Sequence, residues 1–530
     1  MRRIFLTFLV PFAVLALVLS GCNFSSDSKA AGGAITIATR DDLLDPDNIT
    51  LGGTANDRTI MGSTIYDAMF TTDKDGNAAP ALAKEASSSP DAKTWTMTLQ
   101  EGVKFSNDKD FTAKDVKANF DAFMNPENAS TYGPNLANVA SIDVKDDHTI
   151  VFNLKAPDAR FPEQMMDTMY ISDLDARKTP GGKLQPGEVP IGTGPYKWKA
   201  RQEGTSVTFE KNPSYWRGEP PLETAVFKVI HEPEQAAIAL QTGEADVIIN
   251  NVPVQSLPKL KSDPNIQVLH AEGSYFFQSY LNFEKARRGG YKDGDKVHQG
   301  LAYLANAQQI IPGLIGDFGT AATQPIPSWQ LGYSDQVKPF EYDEAKGVQL
   351  LAEGGINKGD RINLLAANSR PYLCDWATAT QSNLKRLGYD AQLQCLANEV
   401  IPAEYTKYDW DMLFFTTSGR ATAATMYEQR WGLDLTMPEP DDTYTLRDPE
   451  LQGLIDKMSA TLDDTEYAKL GGEIAERIVR TDAAVVPGYF QDVYIIARSN
   501  VKGLAASPTQ YYGLLYNAMD KVSVDAAKSS

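Results

Sequence analysis

Four histidines, three cysteines and 69 acidic side chains are the groups with which this 530-residue chain could hold a metal or move a proton. His148, His231, His270 and His298 are scattered, with no two at metal-ligand spacing. His231-Glu232 runs into Pro233 and lacks a second histidine four residues on, so it is not the helix of a zinc protease. There is no glycine-rich phosphate loop ending in Gly-Lys-Ser/Thr and no Gly-x-Ser-x-Gly nucleophile turn. Gly192-x-Gly194 is followed by Pro195, which does not suit a dinucleotide-binding turn. Ser256-x-x-Lys259 has a penicillin-binding type of spacing without its companion motifs. Asp73, Asp75 and Asn77 are spaced as in a calcium loop, but the remaining ligand positions and the closing glutamate are missing, which leaves a turn. The pattern supplies no catalytic residue, no metal site and no cofactor, so the expected activity is not enzymatic.

The cysteines are more informative. Met1-Arg2-Arg3 is a positive start, and residues 4–18 form an apolar run of about fifteen, short of the roughly 20 that span a bilayer. Leu19-Ser20-Gly21-Cys22 follows. This resembles the lipobox of bacterial lipoproteins, which implies removal of residues 1–21 and diacylglyceryl attachment to Cys22. Two acyl chains anchor stably where one does not. Residues 22–33, rich in Ser, Gly and Ala, read as a flexible tether. Cys374 and Cys395 remain, 21 positions apart. Residues 361–366 read as a strand, 375–387 as a helix and 389–396 as a returning strand, which brings the helix start beside the strand end. A disulfide between them is expected in an oxidising compartment.

Hydrophobic content of 42% describes a globular chain, long enough for two or three domains. The net charge of −19 becomes two units more negative once Arg2 and Arg3 leave. A body so acidic repels phosphate backbones, so nucleic acid is not an expected partner. Strands and helices alternate. Residues 34–39 read as a strand and 57–68 as a helix. Residues 95–99 and 103–105 read as a hairpin, and 113–123 as a helix capped by Thr112 with Asp115. A second hairpin is expected over 142–154 and a third from Tyr196 to residues 206–210. Residues 225–230, 234–242 and 245–249 read as strand, helix and parallel strand. Helices are expected near 298–307 and 343–353, and two strands at 483–490 and 494–497.

Several stretches, in order across nearly the whole chain, resemble family 5 of bacterial extracellular solute-binding proteins, which serves ABC importers of dipeptides and oligopeptides. They are Leu44-Asp45-Pro46, Ile65-Tyr66-Asp67, Ala79-Pro80-Ala81-Leu82-Ala83, and the run from Thr94 through Gly102-Val103-Lys104-Phe105 to Phe111-Thr112-Ala113-Lys114-Asp115-Val116. Gly192-Thr193-Gly194-Pro195-Tyr196, Asn212-Pro213-x-Tyr215-Trp216 and Gly243-Glu244-Ala245-Asp246 complete the set. Asn107-Asp108-Lys109-Asp110 departs from the family, which carries a histidine and a glycine there. The resemblance implies an α/β, type II periplasmic-binding-protein fold, with two α/β lobes joined by a hinge plus an extra α+β domain. Lobe I maps to 34–72, 190–271 and 488–523, the extra domain to 73–189 and lobe II to 272–487. It also implies a monomer that buries a peptide or other small solute between its lobes and docks on an ABC permease with its ATPase. A non-peptide solute such as an oligosaccharide, an opine-like compound or a metal chelate fits the same scaffold. A lipid-anchored hydrolase and a sensing receptor without import are the readings from other classes.

Ser369-Arg370-Pro371-Tyr372 resembles the segment with which dipeptide-binding members hold a ligand carboxylate, a task that suits the forked donors of Arg370. The second anchor departs from the family: Ser418 stands where an aspartate would pair with a peptide's α-ammonium, and the nearby charge is Arg420. Either another acid such as Asp41 or Asp411 holds that group, or the ligand lacks it. Tyr275, Phe276 and Tyr489, at the two lobe crossings, are candidate aromatic lining.

Overall fold

The computed structural model describes residues 33–50, 55–62, 64–73, 76–368, 372–417, 419, 422–433, 446–506, 508 and 519–525. Cys22, Arg370, Ser418 and Arg420 lie outside them. Among the described residues, no helix is long and apolar enough to cross a membrane.

One sheet of eleven strands runs through most of the molecule. Its first half uses β1 (Ala34–Thr39), β2 (Tyr196–Gln202), β3 (Ser206–Lys211), β4 (Thr224–Val229) and β5 (Val247–Ile249). β1 lies between β4 and β5 and is parallel to both. The helix Pro233–Thr242 makes the crossover from β4 to β5, with Pro233 at its first turn and Gly243 ending it in the left-handed region at φ 80°. This is the expected strand–helix–strand unit, with β1 inserted between its strands. The hairpin expected from Tyr196 to residues 206–210 forms as β2 and β3.

The second half uses β6 (Ile266–Leu281), β7 (Gly319–Ala321), β8 (Arg361–Ala367), β9 (Asp390–Leu396), β10 (Met412–Thr417) and β11 (Val485–Arg498). The order across the sheet is β9-β8-β10-β6-β11-β5-β1-β4-β3-β2, with β7 beside β11. β8 is parallel to both β9 and β10. The helix Leu373–Arg386 crosses from β8 to β9 and buries Trp376 against Phe414, ring centres 5.0 Å apart. The two strands expected at 483–490 and 494–497 are instead the single strand β11, because Gln491 and Val493 pair with β6 on either side of Asp492.

The segment between β1 and β2 builds a separate antiparallel sheet in the order Ala83–Ser88, Thr94–Leu99, Thr149–Leu154, Val139–Asp146. The helix Ala113–Met124 covers it, burying Val116, Phe120 and Phe123, and Phe120 meets Phe152 edge-on at 5.0 Å. Burying each such ring contributes about 2–3 kcal/mol. The Asp115 carboxylate accepts from the Thr112 N–H at 2.8 Å and from its hydroxyl at 2.9 Å, so the expected cap is present. The hairpin expected over 95–105 does not form. Thr94–Leu99 pairs with Ala83–Ser88 and Thr149–Leu154, while Phe105 donates its N–H to the Lys109 carbonyl and Phe111 to that of Val103. Val103 and Phe105 are buried there in the segment's own core. The helix expected over 57–68 is Ala55–Gly62; beyond it Ile65, Tyr66, Ala68 and Met69 are buried in non-helical chain.

Candidate functional site: a cleft where strand ends meet

Strand register alone locates a cleft. β5 runs antiparallel to β11, with Val247 opposite Ala497 and Ile249 opposite Ile495, so its carboxyl end points toward the second half. β10 runs antiparallel to β6, with Met412 opposite Leu281 and Thr417 opposite Phe276, so its carboxyl end points back toward the first half. β1 and β4 are parallel to β5, and β8 is parallel to β10. The carboxyl edges of the two parallel groups therefore face each other across the middle of β6 and β11. Ligands of open α/β sheets bind outside such edges.

Between the edges the pairing breaks. Ala271 pairs with Val493, and the next pair is Tyr275 with Gln491. Glu272, Gly273 and Ser274 thus bulge opposite Asp492 alone, a local device that bends a strand. Gly273 is required at this bend, since a Cβ there would stand 2.2 Å from the Gln491 carbonyl oxygen. Asp492 is 6% exposed and engaged on both oxygens, by His270 Nε2 at 2.5 Å and by the Thr320 hydroxyl at 2.9 Å.

The residues expected to touch ligand are placed as follows. Asp41 is exposed, two positions past the carboxyl end of β1. Tyr372 is half-buried at the start of Leu373–Arg386 with φ 65°, a strained value for an aromatic residue, and meets Phe318 edge-on at 5.7 Å. Tyr275 is nearly buried, its hydroxyl 3.0 Å from that of Thr416. Phe276 and Tyr489 have no exposed surface. Phe276 stacks on Phe490 at 5.0 Å and Tyr489 on Phe277 at 4.2 Å, which makes them core supports beneath the crossing. Asp411 is not available to a ligand. It sits before β10, at the end remote from the cleft, and is held by Lys285 Nζ at 2.8 Å, the Tyr291 hydroxyl at 2.5 Å and the Asn363 N–H at 2.7 Å. Arg370 follows β8 by three residues and Ser418 follows β10 directly. Cys374 and Cys395 are brought together, with Cα atoms 6.0 Å apart, a separation a disulfide takes.

Three motifs that are far apart in the chain converge on one carboxylate. Asp67 accepts from the Thr193 hydroxyl at 2.9 Å, the Tyr215 hydroxyl at 3.2 Å and the Trp216 indole at 3.1 Å. Burial raises this carboxyl above its usual range against the pull of Arg217. Gly192 and Gly194 let the chain press on Ile65, whose carbonyl oxygen a Cβ would approach to 2.2 and 2.6 Å. The knot ties the inserted segment to β2 and serves the fold.

At Asn107-Asp108-Lys109-Asp110, Lys109 Nζ sits 2.8 Å from Asp115, 2.8 Å from Asp173 and 2.9 Å from Asp175. Its ammonium sits among three acids that group like metal ligands and offsets one of their three charges.

Residues 77–433 match the family described as bacterial extracellular solute-binding proteins, family 5 Middle. The chain belongs to this family. The glutathione-binding protein GsiB of Salmonella typhimurium is 29% identical over 339 residues, 63% of this chain and 64% of that protein. Among solved structures, HbpA2 of Haemophilus parasuis superposes with a TM-score of 0.79 at 22% identity, covering 93% of this chain and 100% of that one. The periplasmic binding protein DppA of Helicobacter pylori, in complex with the peptide STSA, gives 0.74 at 23% identity over 93% and 98%. These likenesses carry the fold, two α/β halves joined at β6 and β11, and agree with the type II periplasmic-binding architecture expected from the sequence.

Proposed function

We propose that this protein is a lipid-anchored, extracytoplasmic receptor that captures peptides between its two halves and hands them to an ABC permease. The observation that carries the reading is the meeting of two sets of strand carboxyl ends across the bulged crossing of β6 and β11. Such a cleft can offer main-chain donors and acceptors to an extended ligand whatever its side chains. The GsiB and DppA relatives, named for glutathione and crystallised with a tetrapeptide, support a peptide cargo. Lobe I spans about 34–72, 190–271 and 488–523, lobe II about 272–487, and 73–189 form an added domain. Arg370 and Tyr372 receive a ligand carboxylate, Cys22 carries the lipid, and Cys374 is bridged to Cys395. The ligand is released unchanged, and the working unit is a monomer.

Ser418 and Arg420, in place of an acid, favour a second reading in which the same transport role serves a solute without a free α-ammonium. Mass spectrometry of molecules released from protein purified out of a rich medium separates the two. Peptides support the first reading, a sugar, opine-like compound or chelate the second, and neither survives if the released molecules are unrelated to any of these.

A further inference from the structure

Two carboxylates stand on the crossing between the facing strand ends, and their surroundings differ. Asp492 is buried and has both oxygens engaged by His270 and Thr320. Glu272, on the bulge itself, is half-buried, and among the described residues its one hydrogen-bonding partner is Ser328, which donates its hydroxyl and, at 3.4 Å, its N–H. A carboxylate has about four acceptor positions, so roughly half of those on Glu272 are unused. Among the described residues, its environment is set by Ser328, Asp492 and His270, with no lysine or arginine among them. Its neighbours in charge are Asp492 and His270, and burial followed by the Asp492 charge pushes its carboxyl above the ordinary 4.5 while Ser328 and His270 pull the other way. Chain neighbours of Glu272 and Ser328 touch the end of β10 and the inserted segment. Ser274 packs on Gly419, the residue after Ser418, where a Cβ would stand 2.3 Å from the serine oxygen. Trp329, adjacent to Ser328, lies against Gly76 of the inserted segment.

Resting on the peptide-receptor reading, we propose that Glu272 is the carboxylate that takes up an alkylammonium group of the ligand, the role vacated at Ser418. Ser328 fixes the orientation of the carboxylate, and the two open acceptor positions receive the ammonium hydrogens. The charge–charge hydrogen bond forms in a half-desolvated site, where it is stronger than at an open surface. Because the acid stands on the bend rather than on either lobe's loops, a bound ammonium draws on the hinge itself. The group recognised is an amino terminus or a lysine-like side chain, which share this chemistry.

The test uses ligand-stripped full-length protein and three pools of di- to tetrapeptides: free amino termini without lysine or arginine, the same pool N-acetylated, and an N-acetylated pool carrying one lysine. Retained members are identified by mass spectrometry and their affinities measured by calorimetry for the wild type, Glu272→Gln and Ser328→Ala. The wild type is expected to retain the first or the third pool, which tells a terminal ammonium from a side-chain one. Glu272→Gln is expected to weaken those members about tenfold or more, and Ser328→Ala, which keeps the charge, by less than about threefold. Glu272→Asp serves where the amide variant does not fold, and is expected to keep the preference for ammonium. Unchanged affinity in Glu272→Gln, equal losses in the two variants, a lost preference in Glu272→Asp, or equal retention of the acetylated lysine-free pool overturns the assignment while peptide capture stands. Retention of no pool overturns both.

Discussion

The Arg160 guanidinium lies 4.9 Å from the ring centre of Tyr467, and this contact joins the inserted segment to the second half of the molecule. Around it Arg160 pairs with Asp464, and the Ala159 N–H donates to the Ser459 carbonyl at 2.7 Å. Beyond the ring, Tyr467 reaches the chain that follows residues 418–421. Its hydroxyl accepts from the Ala424 N–H at 3.1 Å and bonds Thr422, the cap of the helix Ala423–Trp431 that follows residues 418–421. Gly76 against Trp329 makes a second bridge from the same segment. Gln429 Nε2 adds a bond to Asn135 at 3.4 Å, so among the described residues the inserted segment meets the second half at several places, one of them a single tyrosine away from the chain that follows residues 418–421.

Arg160→Ala removes the stacked cation and leaves Glu163 without its partner 3.7 Å away. Asp464 is largely exposed, so its pairing adds little, and the cost comes mostly from the ring contact, about 1–2 kcal/mol. Melting temperature should fall and ligand release in stopped flow should quicken. Identical release rates would show that the contact does not hold the closed form.

Burial pushes the Glu163 carboxyl up to about 8, more than Arg160 pulls it down, and Asp158 beside it up to about 6. Both shifts mean that the folded protein binds more protons than the unfolded chain. The stabilisation is complete below the ordinary 4.5 of Glu163 and is lost as pH rises through about 8. Thermal melts should show the wild type losing stability relative to Glu163→Gln across that interval. Parallel curves would contradict the assignment.

A bridge between Cys374 and Cys395 closes a loop of 21 residues, a constraint that contributes about 3 kcal/mol in the chain-entropy model. The intact mass should rise by two hydrogens on reduction, and reductant should lower the melting temperature. A mass insensitive to reductant would leave two thiols.

Arg370→Ala should weaken ligands that bear a carboxylate by about 2 kcal/mol or more and spare their amides. Calorimetry on matched acid and amide ligands checks this, and equal affinities in variant and wild type would remove Arg370 from the site.

Much of the fold was legible because local signals and tertiary packing agree. A run of β-forming residues marked β1, Gly194-Pro195-Tyr196 opened the β2–β3 hairpin, and Thr112 with Asp115 marked the start of its helix. Strand–helix–strand patterning placed Cys374 and Cys395 together. The errors fall where a long-range partner decided. Thr94–Leu99 alternates as a hairpin strand does, but Ala83–Ser88 and Thr149–Leu154 take both its edges and leave Val103 and Phe105 for the core. β11 read as two strands because Gln491 and Asp492 interrupt an apolar run, and pairing with β6 resumes on both sides of Asp492 and keeps the strand whole. At the site, sequence distance misled for Asp411, which lies six residues before Thr417 yet at the opposite end of its strand. Glu272 gave no signal at all, since a bulge is a property of two paired strands and only one is visible in a linear reading.

Closure of the two strand edges over a ligand at the bulged crossing is measured directly by small-angle X-ray scattering. Ligand-stripped protein is compared before and after addition of a peptide identified by its retention. The account predicts a smaller radius of gyration with peptide bound, reversing on its removal. A radius unchanged by saturating peptide would contradict it.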